Sequence, residues 1–183
     1  MRSKSERKPP ASNPRLSFVL WAWCATLLLS GCVGYRLGPT GGQVAGEKSI
    51  QVSPFVNQTL EPRLGEAVTA ALRKNLQRDG TYRLATRGDA DLIVTGEITR
   101  YNRFELSYEA NDILTVRDYR VTLTAHVTAR ERSSGKVILD RVVTGYTPLR
   151  AGSDWASAER QALPLMAQDL AKNVAALLVD GNW

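Results

Sequence analysis

Few residues in this chain can do chemistry, and their types limit what that chemistry is. The sequence holds one histidine, His126, and two cysteines, Cys24 and Cys32. Catalysis at neutral pH usually needs a positioned base, nucleophile or metal ion. The sequence contains no glycine-rich phosphate loop, no H-E-x-x-H pattern and no G-x-S-x-G pattern. Asp89 and Asp91 have the character of turn residues before a strand rather than of a catalytic pair. We therefore predict that the protein is not an enzyme and has no metal site.

Cys32 stands at the end of an apolar run, where a cysteine has one common use. The run from Leu16 to Leu29 carries no charge and follows a basic head, which is the layout of a secretory signal. A run of about 14 residues is shorter than the roughly 20 that a membrane-spanning helix needs, so cleavage is favoured over a retained anchor. The end of the run, "LSGC", resembles a bacterial lipobox, whose cysteine is acylated. We expect a signal peptide over residues 1–31 and a lipid on Cys32, with no other cofactor.

Removal of the signal changes the composition of the chain. Cys24 leaves with the signal, so Cys32 is the only cysteine of the mature protein, and its thiol is blocked by lipid. Five of the 24 basic residues and one of the 18 acidic residues precede Cys32, which leaves 19 against 17. So balanced a charge does not favour nucleic-acid binding. Val33 stands where an Asp retains many lipoproteins at the inner membrane, so we expect the outer membrane.

The mature chain is predicted to be a tether followed by one domain. Residues 32–48 are rich in glycine and lack an apolar period, as a lipidated flexible tether does. The domain then covers 49–183. It begins with a short strand up to Phe55, and another short strand is expected near residues 82–85. Between them an amphipathic helix is predicted from apolar residues at steps of four, namely Leu64, Val68, Leu72 and Leu76.

Two long strands are predicted to form an antiparallel hairpin. The first runs from Leu92 to Tyr108 with even-numbered residues inward, including Phe104, Leu106 and Tyr108; the second turns its odd-numbered residues inward. Facing residue numbers then sum to an odd value unless a bulge intervenes. Pairing Phe104 with Val121, and Ile98 with Val127, meets this rule and leaves a loop at 110–115. Strands of about 16 residues reach roughly 50 Å, so the distal hairpin should project beyond the helices.

The C-terminal part supplies one more strand and one more helix. The strand runs from Val137 to Pro148, and the helix carries apolar residues at spacings of three and four, with a candidate cap at Ser153 or Asp154. Pro164 either begins this helix or kinks a longer one that starts at Trp155, and we favour the kink. The expected fold is α+β: a two-layer sandwich with a mostly antiparallel or mixed sheet of four to five strands, two helices on one face and a long protruding hairpin.

The distal hairpin mixes arginines with aromatic residues. Guanidinium groups bind phosphates through two hydrogen bonds, and rings give rigid contact area, so this surface suits an anionic glycolipid or a protein partner. It can also be a solvated edge whose arginines deter aggregation of strands. The residues predicted to contact a partner are Arg100, Tyr101, Phe104, Tyr108, Tyr119 and Trp155.

The mature chain as a whole resembles the lipopolysaccharide-assembly lipoprotein family, LptE. Four stretches carry the resemblance, in this order: "CVGYRLG", "PFVNQTLEPRLGEAVTAALRKNL", "GDADLIVTGEITRYNR" and "DYRVTLTAHVTARERSSGKVIL". The resemblance implies an outer-membrane lipoprotein that sits as a plug in the lumen of the LptD β-barrel. It also implies that the protein helps the barrel assemble and contacts lipopolysaccharide on its way to the outer leaflet.

The resemblance further implies where lipopolysaccharide is contacted. In the family these contacts are attributed to basic residues in the hairpin loop and in the turn before the last helix. Here the loop "EANDILT" is not basic. The nearest candidates are Arg103 and Arg117 on either side of that loop, and Arg150 in the second region.

Other classes stay open at this stage. A periplasm-facing lipoprotein that activates a cell-wall synthase, or that scaffolds a secretion assembly, shares the lipobox and a small α/β domain. An enzyme of unknown type is a third class. A large barrel that co-purifies after mild detergent extraction supports the plug, whereas a synthase or a secretin supports the second class.

Overall fold

The computed structural model describes residues 45–86, 88–150 and 154–180. The predicted signal peptide, Cys32 and most of the predicted tether lie outside the described residues. Within them the elements are, in chain order, β1 (Ser49–Val52), β2 (Val56–Asn57), α1 (Leu64–Asp79), β3 (Arg83–Leu84), β4 (Leu92–Glu109), β5 (Asp112–Glu131), β6 (Val137–Arg150) and α2 (Trp155–Asp180). The predicted α+β class is confirmed.

All six strands belong to one mixed sheet. Its order is β3-β1-β4-β5-β6, and β2 pairs with β4 off this path. β1 is parallel to β3 and β4, whereas β4, β5 and β6 are successively antiparallel. β2 continues along β4 where β1 ends, since Ser53 N–H donates to Val94 O and Gln58 N–H donates to Ile98 O, both at 2.9 Å. The short N-terminal strands therefore line one side of the long β4.

The two helices cover one face of this sheet. α1 buries its predicted stripe, and α2 buries a second stripe that includes Met166, Leu170 and Val174. α2 approaches β6 most closely at Gly145, where an added Cβ would lie 2.3 Å from Leu170 N. By length and composition α2 could span a membrane, but its apolar stripe is part of the domain core. The two-layer sandwich with helices on one face is thus as predicted.

The first residue of α2 decides between the two helices predicted around Pro164, whereas Ser153, one of the two candidate caps, lies outside the described residues. Helix α2 runs without a break from Trp155 to Asp180 and contains Pro164, so the longer of the two predicted helices is present. Asp154, one of the two candidate caps, accepts a hydrogen bond from Ser157 N–H at 3.0 Å through Oδ1. This bond satisfies one of the amide groups that a helix leaves unpaired at its first turn.

The register of the long hairpin differs from the predicted one. Ile98 faces Ala125 rather than Val127, so the odd sum of residue numbers holds but the pairing is displaced by two residues. A bulge between Ile98 and Arg100 then changes the parity, and Phe104 faces Arg120 instead of Val121. An extra residue in one strand reverses which side chains point inward beyond it.

The bulge corrects the predicted orientation of the distal part of β4. Phe104 does not continue the inward face: it is 52% exposed, while Tyr101 packs against the core. The predicted loop at 110–115 is also wrong, because β4 ends at Glu109 and β5 begins at Asp112 after a two-residue turn. No residue between Phe104 and Arg120 is buried. The protruding hairpin is therefore confirmed, with a longer ladder and a shorter turn than predicted.

Candidate functional site

The middle of the hairpin is fastened to the start of α2 through Glu159. Tyr101 Oη donates a hydrogen bond to Glu159 Oε1 at 2.6 Å. The Arg103 guanidinium forms an ion pair with the same carboxylate oxygen. Both side chains reach the helix because the bulge before Arg100 turns the odd-numbered residues of β4 to the helix-bearing face.

Two aromatic rings complete this contact. The rings of Tyr119 and Trp155 meet edge to face, with centroids 4.9 Å apart and an interplanar angle of 73°. The Arg103 guanidinium lies 5.4 Å from the centroid of the Tyr101 ring and 5.6 Å from that of Trp155. These are distances at which cation–π attraction operates. We call the five residues Tyr101, Arg103, Tyr119, Trp155 and Glu159 the hairpin clamp.

The protonation states within the hairpin clamp follow from its packing. Burial, and then the hydrogen bond to Glu159, raise the pKa of Tyr101 to about 12. Burial also works to raise the pKa of Glu159, but hydrogen bonds from Tyr101 and Arg103 outweigh it and leave that pKa lowered. At neutral pH the clamp therefore holds one guanidinium, one carboxylate and a neutral phenol.

A second ionic cluster ties the three long strands together at Asp118. Its Oδ2 accepts a hydrogen bond from Ser107 Oγ at 2.6 Å and one from Arg117 Nε at 2.9 Å. Its Oδ1 accepts a hydrogen bond from Arg150 Nε at 3.1 Å. The bonds from Ser107, Arg117 and Arg150, in that order, lower the pKa of Asp118 to about 2. We call these four residues the Asp118 cluster.

The three predicted lipopolysaccharide contacts fall into two groups. Arg103 belongs to the hairpin clamp, whereas Arg117 and Arg150 share Asp118. In the described part of the chain, Arg117 and Arg150 bond to protein only through Nε. A guanidinium carries five N–H donors, so each still presents its terminal nitrogens to solvent. Arg117 and Arg150 can thus bind an anion, while Arg103 acts first as a structural residue.

The six predicted partner-contact residues also divide. Tyr101, Tyr119 and Trp155 are half-buried members of the hairpin clamp. Arg100, Phe104 and Tyr108 are exposed, and Tyr108 Oη donates to Glu105 Oε2 at 2.7 Å. Only the second trio offers free surface to a partner.

Two carboxylates that organise the site were missed by the sequence reasoning. Glu159 follows Trp155 by four residues, so helical spacing places both on one side of α2. Asp118 directly follows Arg117 in the sequence, and a carboxylate in an arginine-rich strand is a signal for an ionic cluster. The spacing of Glu159 from Trp155 and the adjacency of Asp118 to Arg117 are local patterns. Neither of them indicates a contact between residues far apart in the sequence, such as that of Arg150 with Asp118.

The face of the sheet opposite the helices carries polar side chains. His126 lies on this face, as predicted, and its Nε2 contacts Asp140 Oδ1. The Arg120 guanidinium lies 5.2 Å from the centroid of the Tyr146 ring. Half-buried or exposed threonines fill much of the rest: Thr95, Thr122, Thr124, Thr128 and Thr144. No helix within the described ranges covers this face.

The carboxylate of Asp91 makes contacts within the fold. Asp91 Oδ2 accepts hydrogen bonds from the Ser49 N–H and hydroxyl, both at 2.7 Å, and so joins the starts of β1 and β4. This supports a structural role for Asp91. Among the residues that the structure describes, no group of His, Cys, Asp or Glu side chains is placed to hold a metal ion.

Comparison with known proteins gives one family match and several matches in fold. The sequence model of the family described as LptE, lipopolysaccharide-assembly, matches residues 47–178. No curated protein sequence matches this chain significantly.

The matches among solved structures are at low sequence identity. Protein XCC0632 from Xanthomonas campestris is 12% identical, with a TM-score of 0.55, over 80% of this chain and 92% of that one. Protein CT253 from Chlamydia trachomatis is 14% identical, with a TM-score of 0.54, over 75% and 97%. A minor lipoprotein from Acinetobacter baumannii is 14% identical, with a TM-score of 0.49, over 72% and 92%. The first two share the fold of this chain.

Proposed function

This chain belongs to the LptE family of lipopolysaccharide-assembly lipoproteins, and from that premise we propose that it is an outer-membrane lipoprotein that plugs an LptD-type β-barrel. It is held at the membrane by a lipid on Cys32 and faces the periplasm and the barrel lumen. It helps the barrel assemble and assists delivery of lipopolysaccharide to the outer leaflet. The observation that carries the proposal is the family match over residues 47–178, which includes nearly all of the described domain.

The architecture suits a rigid object enclosed by a barrel. One continuous apolar core joins both helices to the sheet, and the hairpin clamp fixes the protruding hairpin to α2. The uncovered face of the sheet presents threonine hydroxyls together with Tyr146 and Arg120. A barrel interior is lined with polar side chains, and such a face can meet it with hydrogen bonds.

The Asp118 cluster is the part of the surface best suited to the phosphates of lipopolysaccharide. Arg117 and Arg150 converge on one carboxylate, so two guanidinium groups are held close together with a single negative charge between them. Guanidinium forks bind phosphate through paired hydrogen bonds. Arg103 supports this surface from the hairpin clamp, although its own charge is already matched by Glu159.

The proposed role requires no catalysis and no nucleic-acid partner. Asp91, Asp118, His126 and Glu159 each contact another residue of the fold. The only covalent group that the role needs is the lipid on Cys32.

Depletion and co-purification test the proposal together. Depletion of the full-length protein should lower both the abundance of the folded barrel and the lipopolysaccharide at the cell surface. Extraction of a tagged, full-length protein in mild detergent should recover the barrel in a fixed ratio. Recovery of a cell-wall synthase or a secretin in place of the barrel, with surface lipopolysaccharide unchanged on depletion, would contradict the proposal.

A further inference from the structure

The tip of the hairpin has a composition unlike the rest of the hairpin. From Phe104 to Val116 the sequence is "FELSYEANDILTV", which contains three carboxylates and no lysine or arginine. The carboxylates are Glu105, Glu109 and Asp112. The flanking cations, Arg103 and Arg117, lie outside this segment and form ion pairs with Glu159 and Asp118. We call residues 104–116 the hairpin tip.

The hairpin tip also carries large apolar side chains that are exposed to solvent. Ile113 is 81% exposed and Leu114 is 88% exposed, and Leu106 and Tyr108 are about half exposed. Several large, exposed apolar side chains within one short segment are characteristic of an interaction site. None of the described residues of this chain covers it.

The hairpin tip is an ordered structure rather than a loose loop. The Asp112 carboxylate accepts hydrogen bonds from Leu114 N–H at 2.9 Å and from the Thr115 hydroxyl at 2.5 Å. β4 and β5 pair up to Glu109 and Asp112, so only two residues form the turn. Register shifts near Tyr108 and Glu109 leave Ile113 and Leu114 without a facing residue in β4, since the paired residues on either side of them are Asp112 and Val116. The hairpin tip therefore presents two adjacent apolar side chains outside the regular ladder.

Both charge and shape restrict what can cover this surface. The phosphates of a lipid or glycolipid would meet three carboxylates with no unpaired cation among them. A second copy of the same hairpin tip would meet equal charges. A flat surface would cover only part of two side chains that are each more than four-fifths exposed. A cleft with apolar walls and a basic rim satisfies all three conditions.

We propose that the hairpin tip docks, through Ile113 and Leu114, into an apolar cleft of the barrel partner that is rimmed by lysine or arginine side chains. This inference rests on the function proposed above, since the barrel is its partner. It assigns the hairpin tip to protein contact, and it leaves the binding of anionic glycolipid to the Asp118 cluster.

Matched substitutions in the full-length lipoprotein test the contact. The double variant Ile113→Ser with Leu114→Ser should lower the yield of co-purified barrel at least tenfold. Charge reversal at Glu109→Lys should also lower it. Leu165→Ser is the control, because Leu165 is an exposed leucine of α2, and its yield should stay within twofold of the parent protein. The melting temperature of the double serine variant in detergent should equal that of the parent, because Ile113 and Leu114 are each more than four-fifths exposed.

Photo-crosslinking identifies the partner directly. A photoreactive amino acid at position 114 should attach to a barrel peptide that contains lysine or arginine. Attachment to lipopolysaccharide or to a second copy, or barrel recovery that is unchanged in the double serine variant, would overturn the docking inference and leave the proposed function standing. Failure of the unaltered protein to recover any barrel would overturn both.

Discussion

Glu159 of helix α2 accepts a hydrogen bond at 2.6 Å from Tyr101, a residue in the middle of the β4 strand. The bond joins the protruding hairpin to the helix layer at the point where the hairpin leaves the core. Arg103 reinforces it from the same strand. The orientation of the hairpin therefore depends on one carboxylate with little exposure to solvent.

Replacement of Glu159 by Gln should destabilise the domain. The variant keeps an acceptor for the Tyr101 hydroxyl but removes the charge that pairs with Arg103. Arg103 is partly exposed, and solvent screens such pairs, so we expect a loss of about 1 to 2 kcal/mol in the free energy of unfolding. Urea titration followed by circular dichroism measures it. Glu66→Gln on α1 makes the same chemical change at a solvent-exposed site and should cost less than about 0.5 kcal/mol; equal losses in the two variants would contradict the clamp.

Stability at alkaline pH should depend on Tyr101. Its pKa is raised from 10.0 to about 12 in the folded protein, so the folded state retains this proton more tightly than the unfolded chain does. The stabilising contribution is complete below pH 10 and is lost as the pH rises from 10 to about 12. Tyr101→Phe removes this titration, so the variant should lose less stability over that interval than the parent does. Tyr146→Phe is the comparison at an exposed tyrosine, and an identical pH dependence in the parent and the Tyr101 variant would refute the prediction.

The Asp118 cluster should govern binding of lipopolysaccharide. Replacement of both Arg117 and Arg150 by Gln removes two phosphate-binding forks without disturbing the hairpin clamp. We expect affinity for purified lipopolysaccharide to fall about tenfold or more, because a hydrogen bond to a charged group contributes about 1.5 to 3 kcal/mol. Equilibrium binding of the full-length protein in detergent measures the change.

The matched control for this pair is Lys74→Gln with Lys172→Gln, which makes an equal change in charge on the helices. This control should bind nearly as well as the parent. A similar loss in both double variants would mean that net charge, rather than the Asp118 cluster, governs binding.

Gly145 should tolerate no side chain. A Cβ at this position would lie 2.3 Å from Leu170 N and 2.6 Å from its Cα, and both are backbone atoms. Gly145→Ala must push α2 away from β6, and we expect a loss of about 3 kcal/mol in the free energy of unfolding. Gly88→Ala serves as the control, since a Cβ added there would meet only the flexible end of Arg132, at 3.7 Å. Thermal or urea unfolding with no difference between the two variants would count against this packing.

The sequence was sufficient for the elements and the layers of the fold, because apolar periodicity is a local property. The stripe from Leu64 to Leu76 and the alternation of the long strands both predicted the buried faces near the core. The preferred alternative for the last helix, a long helix that begins at Trp155 and contains Pro164, also has the observed length. These features depend on neighbours within one helix turn or two strand positions.

The distal hairpin was predicted less well, and the reason is the bulge next to Thr99. No glycine or proline lies at the bulge to mark its position in the sequence. The register also differs by two residues from the predicted one before the bulge, because it depends on how β4 and β5 pair and not on either strand alone. The predicted inward face of Phe104 failed for this reason. The contacts of Arg103 with Glu159 and of Arg150 with Asp118 span 56 and 32 residues, so no local pattern contained them.

The bulge next to Thr99 separates the base of the hairpin, which the helices cover, from an outer arm whose ladder has further register shifts beyond Glu105. Side chains alternate between the two faces of a strand with a period of two residues. If both strands gain two residues beyond the bulge, every existing side chain therefore stays on the same face of the sheet. The outer arm can therefore be lengthened or shortened by two residues per strand while the helix-covered base keeps its packing.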